Sequence, residues 1–163
     1  MKNKIISMII IKIPGSNTIK AEHLVLDYNG TLAVDGILIS GVKERLNALS
    51  DKINVHVITA DTFGKAKNNL KEIRCECSVL SRDNQQLQKL QFITKLGKQK
   101  VIAIGNGAND LLMLKNAALG LAVIQKEGAS SKTMYNADVV CKDITDALDL
   151  LLNPLRIVAT LRN

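Results

Sequence analysis

Three polar segments, each following an apolar run, could together carry out phosphoryl transfer. They are Asp27-Tyr28-Asn29-Gly30-Thr31, Thr59-Ala60-Asp61 and Gly105-Asn106-Gly107-Ala108-Asn109-Asp110. A carboxylate such as Asp27 can attack phosphorus and form an acyl phosphate, while a hydroxyl and a lysine, here Lys89, can hold the phosphoryl oxygens. Further carboxylate and carbonyl oxygens can hold a hard cation such as Mg²⁺.

The apolar runs before these segments predict buried strands of one sheet. The runs 24–26, 54–58 and 100–104 are mostly aliphatic and rich in β-branched residues, and turn residues bound each run. Strands that alternate with helices predict an α/β fold with a parallel sheet and helices on both faces. Because ligands bind at the carboxyl ends of such strands, we expect the three polar segments to meet at one edge.

The remaining elements are predicted from turn residues and helix caps. Two strands at about 4–13 and 18–28 flank the turn 14–17 and could pair as an N-terminal β-hairpin. The later expected elements are a helix opened by Ser40 or Gly41, a helix over 64–73, a strand over 78–80, a helix from Asp83 to Leu96 ended by Gly97, a helix over 108–116, a strand over 119–123, a further helix, a strand over 138–141, and helices to the end.

Length and composition predict one globular domain spanning residues 1–163 with an aliphatic core, since 47% of the residues are hydrophobic and only 2% aromatic. The net charge of +7 leaves two interpretations open, an anionic partner or a basic soluble surface. Nucleic acid is not expected, because the basic residues are scattered and no recognition motif is present. The apolar run 5–11 is too short to span a bilayer, so we expect no membrane association and a cytoplasmic protein.

The order of these motifs resembles that of the haloacid dehalogenase superfamily of phosphohydrolases, and within it the soluble relatives of the P-type ATPase phosphorylation domain. The family's first motif is D-x-D-G-T, or D-K-T-G-T in the ATPases, and the second is a strand ending in Thr or Ser, T-G-D in the ATPases. The third, K-x-x-x-V, fits Lys89-Leu90-Gln91-Phe92-Ile93, and the fourth is G-D-G-x-N-D. The resemblance covers roughly residues 22–141 and implies a three-layer α/β/α Rossmann-like fold with a mainly parallel sheet.

The resemblance also implies roles for individual residues and a Mg²⁺ cofactor. Asp27 would be the phosphate-accepting nucleophile, within a catalytic set that also holds Asn29, Thr59 and Lys89. The phosphoryl group would be bound by Thr59, Ala60, Lys89 and Asn109. The metal would be bound by Asp27, the backbone carbonyl of Asn29, Asn106 and Asp110.

Two departures from the family pattern predict a slow enzyme. Asn29 stands where the phosphatases have an aspartate that acts as general acid and base, and an amide cannot carry that proton at neutral pH. Asn106 stands where a carboxylate often binds Mg²⁺, so metal affinity should fall. We therefore expect a Mg²⁺-dependent phosphohydrolase or phosphotransferase with an aspartyl phosphate on Asp27 and slow turnover.

Two alternatives to a phosphatase stay open, as does the substrate. The chain could be a soluble P-type ATPase-like ATP hydrolase, or a non-catalytic phosphate-binding or regulatory module. The intervals between the first three motifs each hold about one strand–helix unit, so no inserted cap domain is expected. The resemblance then implies a small phosphorylated substrate or nucleotide and a homo-oligomer. The isoleucine-rich N-terminal hairpin is one candidate surface for self-association, and the alternative is a hairpin packed on its own core.

Overall fold

A parallel six-stranded sheet forms the centre of the structure, a computed structural model that describes residues 7–61 and 64–163. The described strands are β1 (Ile9–Ile11), β2 (Ile19–Ala21), β3 (His23–Asp27), β4 (Ala33–Val34), β5 (Ile37–Leu38), β6 (Asn54–Thr59), β7 (Glu76–Val79), β8 (Val101–Gly105), β9 (Leu119–Val123) and β10 (Val139–Cys141). The described helices are α1 (Val42–Leu49), α2 (Lys65–Asn69), α3 (Gln85–Leu96), α4 (Leu111–Asn116), α5 (Ser131–Asn136), α6 (Ile144–Leu152) and α7 (Leu155–Leu161).

The order of strands in the sheet is β10-β9-β8-β3-β6-β7, and every neighbouring pair is parallel. The side chains of β3 alternate between the two faces. Leu24 and Leu26 pack in a core with α1, α6 and α7, whereas Val25 packs in a second core with α3 and α4. This arrangement confirms the predicted three-layer α/β/α fold.

The N-terminal hairpin is present over the described residues, but the strand predicted at 18–28 is two strands. β1 and β2 pair antiparallel, and the chain changes partners at Glu22. There the backbone N–H of Glu22 donates to the carbonyl of Lys100, directly before β8, and the carbonyl of Glu22 accepts from the backbone N–H of Asn54, the first residue of β6. The prediction of one continuous strand was therefore wrong, because its two halves belong to different sheets. Residues 4–6 of the predicted first strand lie outside the described residues.

Over its described residues, the hairpin buries most of its isoleucines. Ile9, Ile11 and Ile13 are buried in the main core, whereas Met8 and Ile10 are exposed. The interpretation of the hairpin as packed on its own core therefore describes it better than that of an open contact surface. A homo-oligomer and a single capless domain over 1–163 stay predictions.

Helix boundaries differ from the sequence prediction in two places. α2 stops at Asn69 rather than at 73, because the chain turns where the N–H of Ile73 bonds to the carbonyl of Leu70. Helix α3 follows Asn84, whose backbone is left-handed with φ 51°, so Asp83 is not its N-cap. Over the residues that the structure describes, no helix is both long and apolar enough to cross a bilayer.

Candidate active site

The predicted motifs meet at one edge of the sheet because three parallel strands end there in register. Asp27 is the last residue of β3 and pairs with Ile58 of β6, so Thr59 ends the neighbouring strand one residue later. On the other side Leu26 pairs with Ile104, which places Asn106 directly after the end of β8. The sheet thus gathers segments that are far apart in the sequence.

A buried lysine joins two buried carboxylates at this edge. The Nζ atom of Lys89, on α3, lies 2.8 Å from Oδ1 of Asp27 and 2.6 Å from Oδ1 of Asp110. The other carboxylate oxygen of Asp110 accepts hydrogen bonds from the backbone N–H groups of Asn106, at 3.0 Å, and Gly107, at 2.9 Å. Both oxygens of Asp110 are therefore occupied, and the residue is fully buried.

This cluster holds two carboxylates against one ammonium group, and its pKa values reflect that imbalance. Burial raises the pKa of Asp27 to about 7, and the nearby charge of Asp110 adds to the rise, while Lys89 opposes it. Burial alone would lower the pKa of Lys89, but the two carboxylates outweigh it and hold the pKa above its usual range. Lys89 is therefore charged, and Asp27 is a carboxylate whose ionised form needs additional positive charge.

Thr31 and Asn106 lie beside Oδ2 of Asp27, the carboxylate oxygen that does not bind Lys89. The Thr31 hydroxyl is 3.4 Å from Oδ2 of Asp27 and 3.4 Å from Oδ1 of Asn106, and a single hydrogen can satisfy only one of them. The amide of Asn106 is oriented by its Nδ2 atom, which donates to the carbonyl of Gly128 at 3.1 Å. Its Oδ1 atom thus faces the Asp27 side of the site.

Thr59 is held by a turn that starts the next helix. Its Oγ1 atom accepts the backbone N–H of Asp61 at 3.1 Å, and Oδ2 of Asp61 accepts the N–H of Ala66 in α2 at 2.8 Å. Since the oxygen of the Thr59 hydroxyl is engaged as an acceptor, the hydroxyl is oriented to donate its own hydrogen elsewhere.

An open cavity of about 510 Å³ lies over this edge of the sheet. Among the predicted site residues, five line it, namely Asp27, Asn29, Ala60, Asn106 and Asn109. The other three, Thr59, Lys89 and Asp110, are buried and do not line it. The site therefore has a rim of amide and carboxylate oxygens above a buried charged floor.

Several residues around the cavity were not predicted from the sequence. Tyr28 is buried and accepts at Oη from Asn69, whose side-chain nitrogen also binds the carbonyl of Gly36. Gln85 accepts a hydrogen bond from Asn109 at 2.7 Å. The charged side chains at the rim are those of Asp61, Lys65, Arg82 and Glu127. Asp61 belongs to the second motif that the sequence singled out, and Tyr28 could have been proposed from its place inside the first, but nothing in the local sequence marks the others.

The donor set suits a hard cation. The groups that line the cavity near Asp27 offer carboxylate and carboxamide oxygens, which Mg²⁺ prefers. The raised pKa of Asp27 shows a carboxylate that a cation would stabilise in its ionised form. Within 7–61 and 64–163, no group of three or more His, Cys, Asp or Glu side chains could hold a metal by itself. Such a site fits Mg²⁺, which usually keeps several waters and takes one or two carboxylates.

Comparison with known proteins identifies the family of this chain. A sequence profile of haloacid dehalogenase-like hydrolases matches residues 84–147. An uncharacterized protein of Methanocaldococcus jannaschii is 54% identical over 84 residues, which cover 49% of this chain and 90% of the relative. A soluble P-type ATPase-like phosphatase of the same organism is 28% identical over 125 residues, which cover 74% of this chain and 45% of that protein. The chain belongs to the haloacid dehalogenase-like hydrolases.

A solved structure gives the same assignment of the fold. The 3-deoxy-D-manno-octulosonate 8-phosphate phosphatase from Moraxella catarrhalis superposes with a TM-score of 0.65 at 19% identity, covering 87% of this chain and 94% of that one. At this level of identity the likeness concerns the fold alone. The family predicted from the four motifs is confirmed, and so is the prediction of a hydrolase of that family.

Proposed function

We propose that the protein is a Mg²⁺-dependent phosphohydrolase or phosphotransferase that works through an aspartyl phosphate on Asp27. The observation that carries the proposal is the Asp27–Lys89–Asp110 cluster, which opens to the cavity only through Asp27. Stability does not explain this cluster, because burying two carboxylates with a single ammonium group is costly. Perturbed carboxylates in a cleft are common at catalytic sites.

The reaction needs one nucleophile and groups that bind phosphoryl oxygens. A carboxylate oxygen of Asp27 attacks phosphorus, and the bond from phosphorus to the leaving oxygen breaks, so the leaving group departs with the electron pair. Water then attacks the acyl phosphate, which releases inorganic phosphate and restores the carboxylate. Lys89 and the Thr59 hydroxyl would bind phosphoryl oxygens during both steps, with Ala60 and Asn109 lining the phosphoryl-binding region.

Asp27, the backbone carbonyl of Asn29 and the side chain of Asn106 would hold the Mg²⁺ ion. The bound ion would neutralise negative charge on the phosphoryl group and on Asp27. Asp110 acts in this proposal as a positioning residue rather than as a ligand, because Lys89 and two backbone N–H groups already occupy its oxygens. It fixes both the lysine and the loop that carries Asn106.

The second step is expected to be slow. Asn29 lines the cavity where a proton-transferring carboxylate would be useful, and an amide cannot take a proton from the attacking water. General acid–base assistance is typically worth about 10²–10⁴ in rate. The site would therefore form the aspartyl phosphate more readily than it hydrolyses it.

Two cationic side chains at the rim of the cavity, Lys65 and Arg82, would bind an anionic substrate. They lie there together with the carboxylates of Asp61 and Glu127, and the cavity is open to solvent. The phosphatase from Moraxella catarrhalis was solved with magnesium, phosphate and a sugar acid, so a small phosphorylated metabolite is the substrate class we propose.

An ATP hydrolase or a non-hydrolytic phosphoryl-binding module is the second candidate. Two observations favour it: the similarity to a soluble P-type ATPase-like phosphatase, and the amide at Asn29. The non-hydrolytic module predicts an aspartyl phosphate that persists and little release of inorganic phosphate, whereas the ATP hydrolase predicts release of inorganic phosphate from ATP.

Hydrolysis of p-nitrophenyl phosphate with Mg²⁺ tests the proposal. The wild-type protein should hydrolyse it slowly, and Asp27→Asn should abolish the activity. Asp51→Asn is the matched control, because Asp51 is an exposed carboxylate paired with Arg74 on the surface. Equal rates in wild type and Asp27→Asn would refute an enzymatic role for Asp27, whereas phosphorylation of Asp27 without turnover would favour the second candidate.

A further inference from the structure

Glu127 places a carboxylate beside Asn29 and Asn106, the two positions where this chain has a neutral amide instead of a carboxylate. It lies in the loop between β9 and α5 and lines the same cavity as Asp27, Asn29 and Asn106. Its Oε2 atom lies 2.6 Å from the position that a Cβ atom on Gly30 would occupy, and Nδ2 of Asn106 lies 2.6 Å from the same position. The carboxylate and the amide are therefore neighbours above the first motif.

The loop that carries Glu127 is fastened to both asparagine-bearing loops. Nε2 of Gln125 donates to the carbonyls of Gly30, at 2.7 Å, and Thr31, at 2.8 Å. On the other side of Glu127, the side chain of Asn106 donates to the carbonyl of Gly128. The backbone N–H of Ser130 donates to the carbonyl of Asn106 at 2.8 Å.

The backbone conformation of Gln125 also indicates that this loop is held in a fixed position. Gln125 has φ 45°, a left-handed conformation that a non-glycine side chain rarely adopts. Such a conformation is unfavourable and persists only where the surroundings impose it. Here the two hydrogen bonds of the Gln125 side chain, together with its contact to the N–H of Ile144 at 2.9 Å, hold the residue in place. The loop is thus built to keep a fixed position over the site.

A carboxylate at the position of Glu127 would add negative charge that the motifs themselves do not offer to a cation. Of the two buried carboxylates, Asp110 is fully engaged by Lys89 and the backbone, and one oxygen of Asp27 also binds Lys89. The amides of Asn29 and Asn106 can coordinate a cation but carry no charge. A divalent cation next to Asp27 would therefore meet little negative charge from the motifs themselves.

We propose that Glu127 supplies the divalent-cation site with the carboxylate that Asn106 lacks. This inference rests on the proposed function, since it concerns the cation of the same site. In this proposal, the negative charge that the family usually supplies from the loop after β8 comes instead from the loop after β9. Residues that support a metal's ligands commonly change its affinity by 10–100-fold when removed.

Isothermal titration calorimetry with Mg²⁺ tests the inference on the full chain. Glu127→Gln should raise the Kd about 10-fold, and Gln125→Ala should raise it several-fold because the loop loses its anchor. Glu44→Gln, an exposed glutamate on α1, is the matched control and should leave the Kd unchanged. Equal Kd values for Glu127→Gln and wild type would overturn the inference. Glu127 is exposed, so Glu127→Gln should fold normally.

Phosphorylation of Asp27, measured separately by mass spectrometry, distinguishes failure of this inference from failure of the proposed function. If Asp27 becomes phosphorylated but Glu127→Gln binds Mg²⁺ as tightly as wild type, the role of Glu127 is wrong and the proposed function stands. If wild type neither binds Mg²⁺ nor becomes phosphorylated, both are wrong.

Discussion

Replacing Asp27 with asparagine should stabilise the protein at neutral and alkaline pH. Burial and the charge of Asp110 raise the pKa of Asp27 to about 7 from an ordinary value of 3.8. In the folded protein Asp27 therefore keeps a proton that the unfolded chain loses near pH 4. Because the native state binds more protons over that interval, the free energy of unfolding of the wild type falls as the pH rises from about 4 to about 7. The amide in the Asp27→Asn variant has no proton to lose, so the variant escapes this loss.

The size of the effect follows from the pKa difference. Each pKa unit corresponds to about 1.4 kcal/mol, so a rise of roughly three units sets a ceiling of about 4 kcal/mol. Asp27 borders an open cavity, and water there screens its charge. We therefore expect about half of the ceiling, or about 2 kcal/mol. For a domain of this length, that corresponds to a rise in Tm of roughly 4–8 °C at pH 8.

Thermal unfolding of wild type and Asp27→Asn, without divalent cations, across pH 4 to 8 measures the effect. The Tm difference should be small at pH 4, grow to pH 7 and stay constant above it. Asp51→Asn is the control, because Arg74 holds the pKa of that exposed carboxyl below its usual range. Its replacement should cost stability above pH 4, which is the opposite sign. A difference for Asp27→Asn that is independent of pH, or a variant less stable than wild type at pH 8, would refute the reasoning.

Three further substitutions test other parts of the site. Asn29→Asp should raise the kcat for p-nitrophenyl phosphate about 10²-fold, because a carboxylate can accept the proton of the attacking water; an unchanged kcat would contradict this role. Lys89→Met should lower the free energy of unfolding by about 3 kcal/mol in urea denaturation, because it leaves buried carboxylates unpaired, while Lys95→Met, on the exposed side of the same helix, should change little. Gly30→Ala should destabilise the fold by roughly 1–3 kcal/mol and by more than Gly36→Ala, which has a similar positive φ but open space around it; equal losses would show that the contacts over Gly30 do not matter.

The sequence predicted the sheet and the strand-end residues because both depend on local patterns. Apolar β-branched runs predicted β3, β6 and β8, and parallel strands bring the residues that follow them to one edge. The four motifs added Lys89, whose place on α3 gives no local hint that its side chain is fully buried. Its burial follows from the two carboxylates that reach it from β3 and from the loop after β8.

Features that depend on contacts between distant segments could not be predicted. The break between β2 and β3 follows from a change of sheet at Glu22, and no glycine, proline or other turn residue marks that position in the sequence. The approach of Glu127 to Gly30 depends on hydrogen bonds from Gln125 across more than ninety positions of sequence. The engagement of both oxygens of Asp110 likewise required side-chain positions.

Direct detection of a phosphoryl group on Asp27 tests the central claim. The protein is incubated with p-nitrophenyl phosphate and Mg²⁺, quenched in acid and digested, and its peptides are mapped by mass spectrometry. We predict phosphorylation of the peptide that contains Asp27, a longer-lived adduct in wild type than in Asn29→Asp, and no adduct in Asp27→Asn. Release of p-nitrophenol without a modified Asp27, or an adduct that persists in Asp27→Asn, would contradict the account.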